Sequence, residues 1–100
     1  MFVILWEFEV KPGCETTFES SYGPAGPWVL LFRQDSHYLE TRLLRDPFRQ
    51  QIYLTLDYWS SRESYLQFQQ THREHYRTID AQCEALTLNE RKLGEYLSIQ

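Results

Sequence analysis

Residues 51–65 constrain the fold of this chain more than any other segment of the sequence. Their first part alternates in a way that predicts a β-strand over residues 51–59. One face of this strand is wholly apolar or aromatic, while the other face mixes polar and aromatic side chains. Ser60 and Glu63 then fit a Ser-x-x-Glu capping box, which predicts that a helix begins directly after the strand. A strand with two such faces needs a cover on both sides.

The other elements follow from the same kind of pattern. Apolar side chains at every second position predict a first strand over residues 2–10. The remaining predicted elements are a short helix over 14–22, a second one that starts at Pro27, a strand over 37–45, a helical stretch over 60–86 and a last strand over 92–99. Simple alternation along the strand over 37–45 would place Tyr38 and Thr41 on opposite faces.

The helical stretch over residues 60–86 is too long to be straight in a domain of this size. A continuous helix would span on the order of 40 Å. A compact chain of 100 residues is roughly 33 Å wide. We therefore expect a break near residues 70–72.

The order of the elements is β-α-β-β-α-β with one additional short helix. This order predicts an α+β, ferredoxin-like fold, in which an antiparallel sheet of four strands carries helices on one face. We expect residues 1–100 to form a single domain. The apolar face of the third strand would then be uncovered, and such a surface is a site of association. We expect a homodimer in which two sheets pack together through Ile52, Leu54, Leu56 and Tyr58.

Charge and hydrophobicity argue against several classes of function. The net charge is −4, acidic and basic residues are interspersed, and no run of Lys or Arg occurs, so no nucleic-acid partner is expected. The longest apolar run, residues 1–6, is too short to span a membrane and lacks the charged start of a signal peptide. Cys14 and Cys83 lie far apart in the sequence. We expect them to be reduced, in a cytoplasmic protein.

A family resemblance rests on the segment YLTLDYWSSRESY at residues 53–65, on the strand order and on His72. Together these features resemble the antibiotic biosynthesis monooxygenase-like family of dimeric α+β barrels, over nearly the whole chain. Residues 22–28 and 31–33 are similar to a branch of that family with no assigned reaction. Family members include cofactor-free oxygenases of polyphenols, haem-degrading enzymes and isomerases. The resemblance thus implies a dimeric α+β barrel and a cofactor-independent monooxygenase-like activity on a small aromatic or polyketide-like compound.

Two positions match the cofactor-free oxygenases and one departs from them. Trp59 matches the tryptophan at the strand end, and Tyr65 matches the tyrosine six residues later. Four residues before the tryptophan those oxygenases carry an asparagine, where this chain has Thr55. A hydroxyl is a poorer group than an amide for steering a substrate oxygen or dioxygen. Haem degradation is not expected, because the first strand lacks the asparagine of that branch and Phe68 replaces its helix tryptophan.

His72 and Asp57 are the candidate general bases. An imidazole titrates near neutral pH, so His72 could accept a phenolic or enolic proton. A histidine on the apolar stripe of a helix can equally be a core residue with one hydrogen bond. Asp57 lies on the face expected beneath the helices, where a carboxylate must be paired, protonated or directed into a pocket. The candidate partners are Arg62, Arg73 and Tyr76; an unpaired Asp57 would have a raised pKa.

Trp59 and Tyr65 complete the candidate catalytic set, as donors to a developing oxyanion. Trp59 can also be simply a core anchor. The candidate substrate-binding residues are Tyr22, Trp28, Phe32, Thr55 and Tyr76. The aromatic residues among them form either a lid over a planar ligand or the cap of a small core.

A metal site is the remaining alternative for the histidines. His72 and His75 are three residues apart, and Asp57 would be a distant third ligand, but the spacing matches no known ligand pattern. We expect no metal and no organic cofactor. The leading hypothesis is therefore a cofactor-free oxygenase. The competing hypothesis is a non-catalytic, small-molecule-binding or stress-associated homodimer.

Overall fold

The computed structural model describes residues 1–99 as one sheet covered by helices. The elements are β1 (Phe2–Val10), α1 (Glu15–Tyr22), α2 (Pro27–Phe32), β2 (Tyr38–Arg45), β3 (Ile52–Trp59), α3 (Arg62–Thr71), α4 (Arg73–Cys83), a 3₁₀ turn (Glu84–Leu86) and β4 (Thr87–Leu97). The sheet order is β2-β3-β1-β4. All pairs of neighbouring strands are antiparallel. The predicted α+β arrangement is confirmed.

The core lies between the sheet and the helices, as the alternation along β1 predicts. Phe2, Ile4, Phe8 and Val10 are buried on one face of β1. They meet buried helix residues such as Phe18, Phe68 and Ile79 in one continuous cluster. Full burial of each such side chain contributes roughly 1.5–3 kcal/mol. Most members of the cluster are aromatic, so the core is built mainly from rings.

The helical stretch breaks at His72, where the break was expected. His72 has φ −112° and ψ 28°, so it ends α3 and precedes α4. The molecule measures 36 × 32 × 21 Å, which leaves no room for a straight helix over 60–86. Within residues 1–99, no helix is both long and apolar enough to cross a membrane.

Two predicted boundaries are wrong. The last strand begins at Thr87 rather than at residue 92, because β4 pairs with β1 along most of its length and this pairing outweighs the weak strand preference of its polar residues. The cap of α3 is Ser61, whose Oγ accepts a hydrogen bond from the Ser64 amide at 3.1 Å. The Ser60 hydroxyl instead donates to the His37 carbonyl at 3.2 Å.

β2 contains a bulge that alternation could not show. The register with β3 shifts between Tyr38 and Glu40, which leaves Leu39 as the extra residue. A bulge re-aims the side chains that flank it. Tyr38 consequently lies on the helix side together with Thr41, and the prediction of opposite faces is wrong.

The sheet face opposite the helices carries the apolar set that the sequence indicated. Ile52, Leu54, Leu56 and Tyr58 are all partly exposed there. Their neighbour Leu44 on β2 is 47% exposed. β3 thus presents one buried face to the helices and one apolar face to the outside.

Candidate functional site

A cleft opens between the covered face of the sheet and helices α1, α2 and α4. Its empty volume is about 490 Å³ including the open mouth, and the centres of water molecules reach only about 60 Å³ of it. The cleft is therefore narrow. Its lining consists of Trp6, Phe8, Tyr22, Trp28, Phe32, Thr41, Thr55, Asp57, Tyr76, Asp80 and Glu90.

Aromatic rings form most of the cleft wall. The rings of Trp28 and Tyr76 meet edge to face, with centroids 4.8 Å apart. The Trp28 side chain is buried, and its indole NH lies beside the Tyr22 hydroxyl and the Cys83 thiol rather than open to the cleft. A narrow space between rings suits a planar ligand.

Asp57 is the most buried of the three carboxylates that line the cleft. It is half-buried on β3, directly opposite Thr41 in the strand register. The Thr41 hydroxyl donates a hydrogen bond to Asp57 Oδ1 at 2.7 Å. Burial raises the pKa of Asp57 to about 6, while the bond from Thr41 acts in the opposite direction. Asp80 and Glu90 are exposed and lie at the mouth.

The partners expected for Asp57 do not bind it. The Arg62 guanidinium pairs with Glu95 at 2.9 Å. Arg73 is exposed, and within the described chain neither it nor Tyr76 forms a hydrogen bond or an ion pair with Asp57. Asp57 is thus held by a neutral hydroxyl, and its charge is not compensated by a cation within ion-pair distance among residues 1–99.

The tyrosines around the cleft stay protonated near neutral pH. Burial raises the pKa of Tyr22 and of Tyr65. Burial, followed by the charge of Asp57, raises the pKa of Tyr76 to about 12. A phenol that stays neutral is a hydrogen-bond donor rather than a base.

Trp59 and Tyr65 lie behind the cleft rather than in its lining. Trp59 is fully buried, and its ring centroid lies 4.9 to 5.6 Å from those of Phe32, Tyr38, Tyr65 and Phe68. We call these five residues the Trp59 cluster. The Trp59 indole NH has no partner in residues 1–99. The Tyr65 hydroxyl accepts a hydrogen bond from Gln69 at 2.7 Å.

His72 is separated from the cleft. It is half-buried at the α3–α4 junction, with its ring 4.9 Å from that of Phe68, and it is not among the cleft residues. His75 is exposed. Across residues 1–99, no group of three or more His, Cys, Asp or Glu side chains is arranged to hold a metal ion.

The cleft brings together part of the predicted set and adds residues that the sequence did not single out. The candidate substrate-binding residues Tyr22, Trp28, Phe32, Thr55 and Tyr76 all line it, and so does Asp57. Thr41, Trp6, Phe8, Asp80 and Glu90 were missed. Thr41 was missed because its contact with Asp57 depends on strand register, which the sequence pattern does not supply.

Comparison with known proteins places the chain in a recognisable group. The family model described as antibiotic biosynthesis monooxygenase matches residues 1–82. No curated protein matches the sequence.

Solved structures share the fold at low identity. SnoaB from Streptomyces nogalater, described as a cofactor-independent oxygenase, is 18% identical, with a TM-score of 0.73 over 99% of this chain and 93% of that one. A protein from Bordetella bronchiseptica, provisionally described as an antibiotic biosynthesis monooxygenase, is 17% identical, with a TM-score of 0.78 over 99% and 97%. PA3566 from Pseudomonas aeruginosa is 17% identical, with a TM-score of 0.69 over 99% and 94%.

Proposed function

Because the chain belongs to the antibiotic biosynthesis monooxygenase family, we propose that it is a cofactor-independent monooxygenase-like enzyme acting on a small aromatic or polyketide-like compound. One observation carries this proposal: a carboxylate with a raised pKa, Asp57, lines a narrow aromatic cleft. Perturbed acids in clefts are typical of sites that transfer protons.

Asp57 serves as the general base. With a pKa of about 6 it is mostly ionised at neutral pH, yet it is a stronger base than an ordinary aspartate. It removes a proton from an activated CH₂ group, such as one between two aromatic rings. The resulting carbanion gives one electron to O₂, and the two radicals combine into a peroxide. Loss of water converts the CH₂ group into a ketone, so that substrate and O₂ yield ketone and H₂O.

A donor in the cleft wall would stabilise the oxyanion of the ionised substrate. Tyr76 lines the cleft and presents a neutral phenol. It is better located for this role than Trp59 and Tyr65, which lie behind the wall. For the same reason Asp57 is a better candidate base than His72.

We propose that the working form is a homodimer of single-domain chains. The outer face of β3, with Ile52, Leu54, Leu56 and Tyr58, is apolar and partly exposed. A second copy of the sheet would bury it in the way that a dimeric α+β barrel requires. Light scattering at micromolar concentration should give twice the mass of one chain, and Leu56→Glu should reduce it to one. A monomeric wild type would refute this assembly.

We also propose a cytoplasmic location. Cys14 and Cys83 are both unpaired thiols in the structure. Unpaired thiols are usual where the compartment is reducing.

Oxygen uptake with anthrone and a panel of phenols tests the reaction. Asp57→Asn keeps the shape of the side chain and removes its basicity, so we expect a loss of rate of about 10²-fold or more. His72→Ala is the matched control and should stay within about twofold. Loss of activity in the His72 variant alone would transfer the role of base to His72.

The cleft also supports the competing function of a non-catalytic binding protein. Thr55 lines it where the cofactor-free oxygenases that the sequence resembles carry an asparagine. A wild type that consumes no oxygen with any member of the panel, but binds anthrone as judged by quenching of tryptophan fluorescence, would favour that function.

A further inference from the structure

Two hydroxyl groups on β2 form a chain that ends on Asp57. The Tyr38 hydroxyl donates to Thr41 Oγ1 at 2.7 Å, and the Thr41 hydroxyl donates to Asp57 Oδ1 at 2.7 Å. Thr41 has one proton to donate, so accepting from Tyr38 directs that proton towards Asp57. Within residues 1–99, no hydrogen bond reaches the second carboxylate oxygen, Oδ2.

The bulge in β2 makes this chain of hydrogen bonds possible. Residues three apart on a regular strand point to opposite faces. The register shift between Tyr38 and Glu40 brings Tyr38 to the face of Thr41. Thr41 is in turn the direct cross-strand neighbour of Asp57. Bulges are enriched beside active sites, where they re-aim a side chain.

The Trp59 cluster holds Tyr38, the far end of this hydrogen-bond chain, in place. The Tyr38 ring lies 5.4 Å from Trp59 and 5.5 Å from Phe32, measured between centroids. Trp59 is fully buried and Phe32 nearly so. A ring packed in this way has little freedom to turn, so its hydroxyl remains directed at Thr41.

We propose that Thr41 and Tyr38 are positioning residues for Asp57: they fix one carboxylate oxygen on β2 and leave the other for the proton of a ligand. The proposal deepens the function given above and rests on the role of Asp57 as a base. Thr41 orients Asp57 directly. Tyr38 acts through Thr41, by fixing the direction of its hydroxyl.

Other titratable groups surround Asp57 on several elements. Burial, together with the nearby charge of Asp57, raises the pKa of Tyr38 on β2, Tyr65 on α3 and Tyr76 on α4. They remain neutral over the range in which Asp57 titrates. Asp80 on α4 and Glu90 on β4 line the same cleft, and burial raises the pKa of Glu90, so the Asp57 signal has to be resolved from theirs.

Carboxyl-carbon NMR of the ¹³C-labelled protein from pH 4 to 9 is the direct test. The signal of Asp57 is assigned by its absence in Asp57→Asn. Thr41→Val keeps the shape but removes the hydroxyl, and we expect the pKa of Asp57 to rise by about one unit. Thr41→Ser keeps the hydroxyl and should restore the wild-type value. Tyr38→Phe should give a smaller rise of the same sign.

The pH profile of oxygen uptake with anthrone gives the second readout. In Thr41→Val the acidic limb of kcat/KM should move up with the pKa of Asp57, so the loss is about twofold or more at pH 7 and small at pH 8.5. A loss of equal size at every pH would indicate mere structural damage.

The two readouts separate the possible failures. An unchanged pKa of Asp57 in Thr41→Val, or a shift that Thr41→Ser does not restore, overturns the positioning role whatever the activity. A restored shift in a protein that oxidises neither anthrone nor any phenol would refute the proposed reaction, while the hydroxyl pair would still control the titration of Asp57.

Discussion

Trp59 and Asp57 are two residues apart on the same face of β3, but their surroundings differ completely. Trp59 is fully buried among rings, in the Trp59 cluster. Asp57 faces a cleft, is held by one hydroxyl and has a pKa raised to about 6. One strand thus provides an anchor for the core and a site for chemistry.

The contrast shows how a small domain can accommodate a half-buried carboxylate that lowers its stability. A half-buried carboxylate without a cation destabilises the fold when it is ionised. The aromatic packing around Trp59 supplies stability beside it and shares Phe32 with the cleft wall. The cost of burying the Asp57 carboxylate and the tight packing next to it are thus two parts of one arrangement.

The largest expected change in the free energy of unfolding follows from removing the Trp59 side chain. Trp59→Ala would leave a cavity in a fully buried part of the core, so we expect the free energy of unfolding to fall by about 3–5 kcal/mol. Urea denaturation at pH 7 measures the change. A loss below about 1 kcal/mol would show that the Trp59 cluster does not anchor the fold. Trp59 and Asp57 would then not differ as a core anchor and a site residue.

A smaller change in the free energy of unfolding, of opposite sign, is expected when Asp57 is replaced. Its pKa is raised in the folded protein, so the stability linked to its protonated form is fully present below about pH 4 and is lost as the pH rises through about 6. Asp57→Asn removes this loss. The variant should match the wild type at pH 4 and exceed it by about 2 kcal/mol at pH 8.

Thermal or urea unfolding of both proteins at the two pH values gives the difference directly, because other titrating groups cancel between them. Equal stability at pH 8 would mean that Asp57 carries no burial penalty. The carboxylate would then resemble a solvated surface group, and Asp57 would not be a base with a raised pKa.

The smallest expected effect concerns His72, which packs on the Trp59 cluster through Phe68 and lies outside the cleft lining. His72→Ala should lower the free energy of unfolding by only about 0.5–1 kcal/mol, from the lost ring contact. Urea denaturation at pH 7 measures the change. A loss of about 3 kcal/mol or more would show that His72 anchors the core in the way that Trp59 does.

Much of the fold was predictable because it depends on local patterns. The alternation along β1 and β3 gave the buried and open faces, and the length of the helical stretch required a break, which lies at His72 within the expected residues 70–72. The start of β4 was not predictable, since its polar residues become a strand only through pairing with β1. The face of Tyr38 was wrongly predicted for a related reason, because a bulge is a property of two strands.

The sequence by itself determined the order of the elements, the two faces of β3 and four of the aromatic residues that line the cleft, Tyr22, Trp28, Phe32 and Tyr76. Periodicity places such side chains on a face. Only the tertiary structure decided which of them meet. It placed Asp57 in the cleft, Trp59 behind it and His72 apart from it, and it joined Tyr38 and Thr41 to Asp57. The physical reason is that distances across strands and helices depend on register and packing, which no single segment encodes.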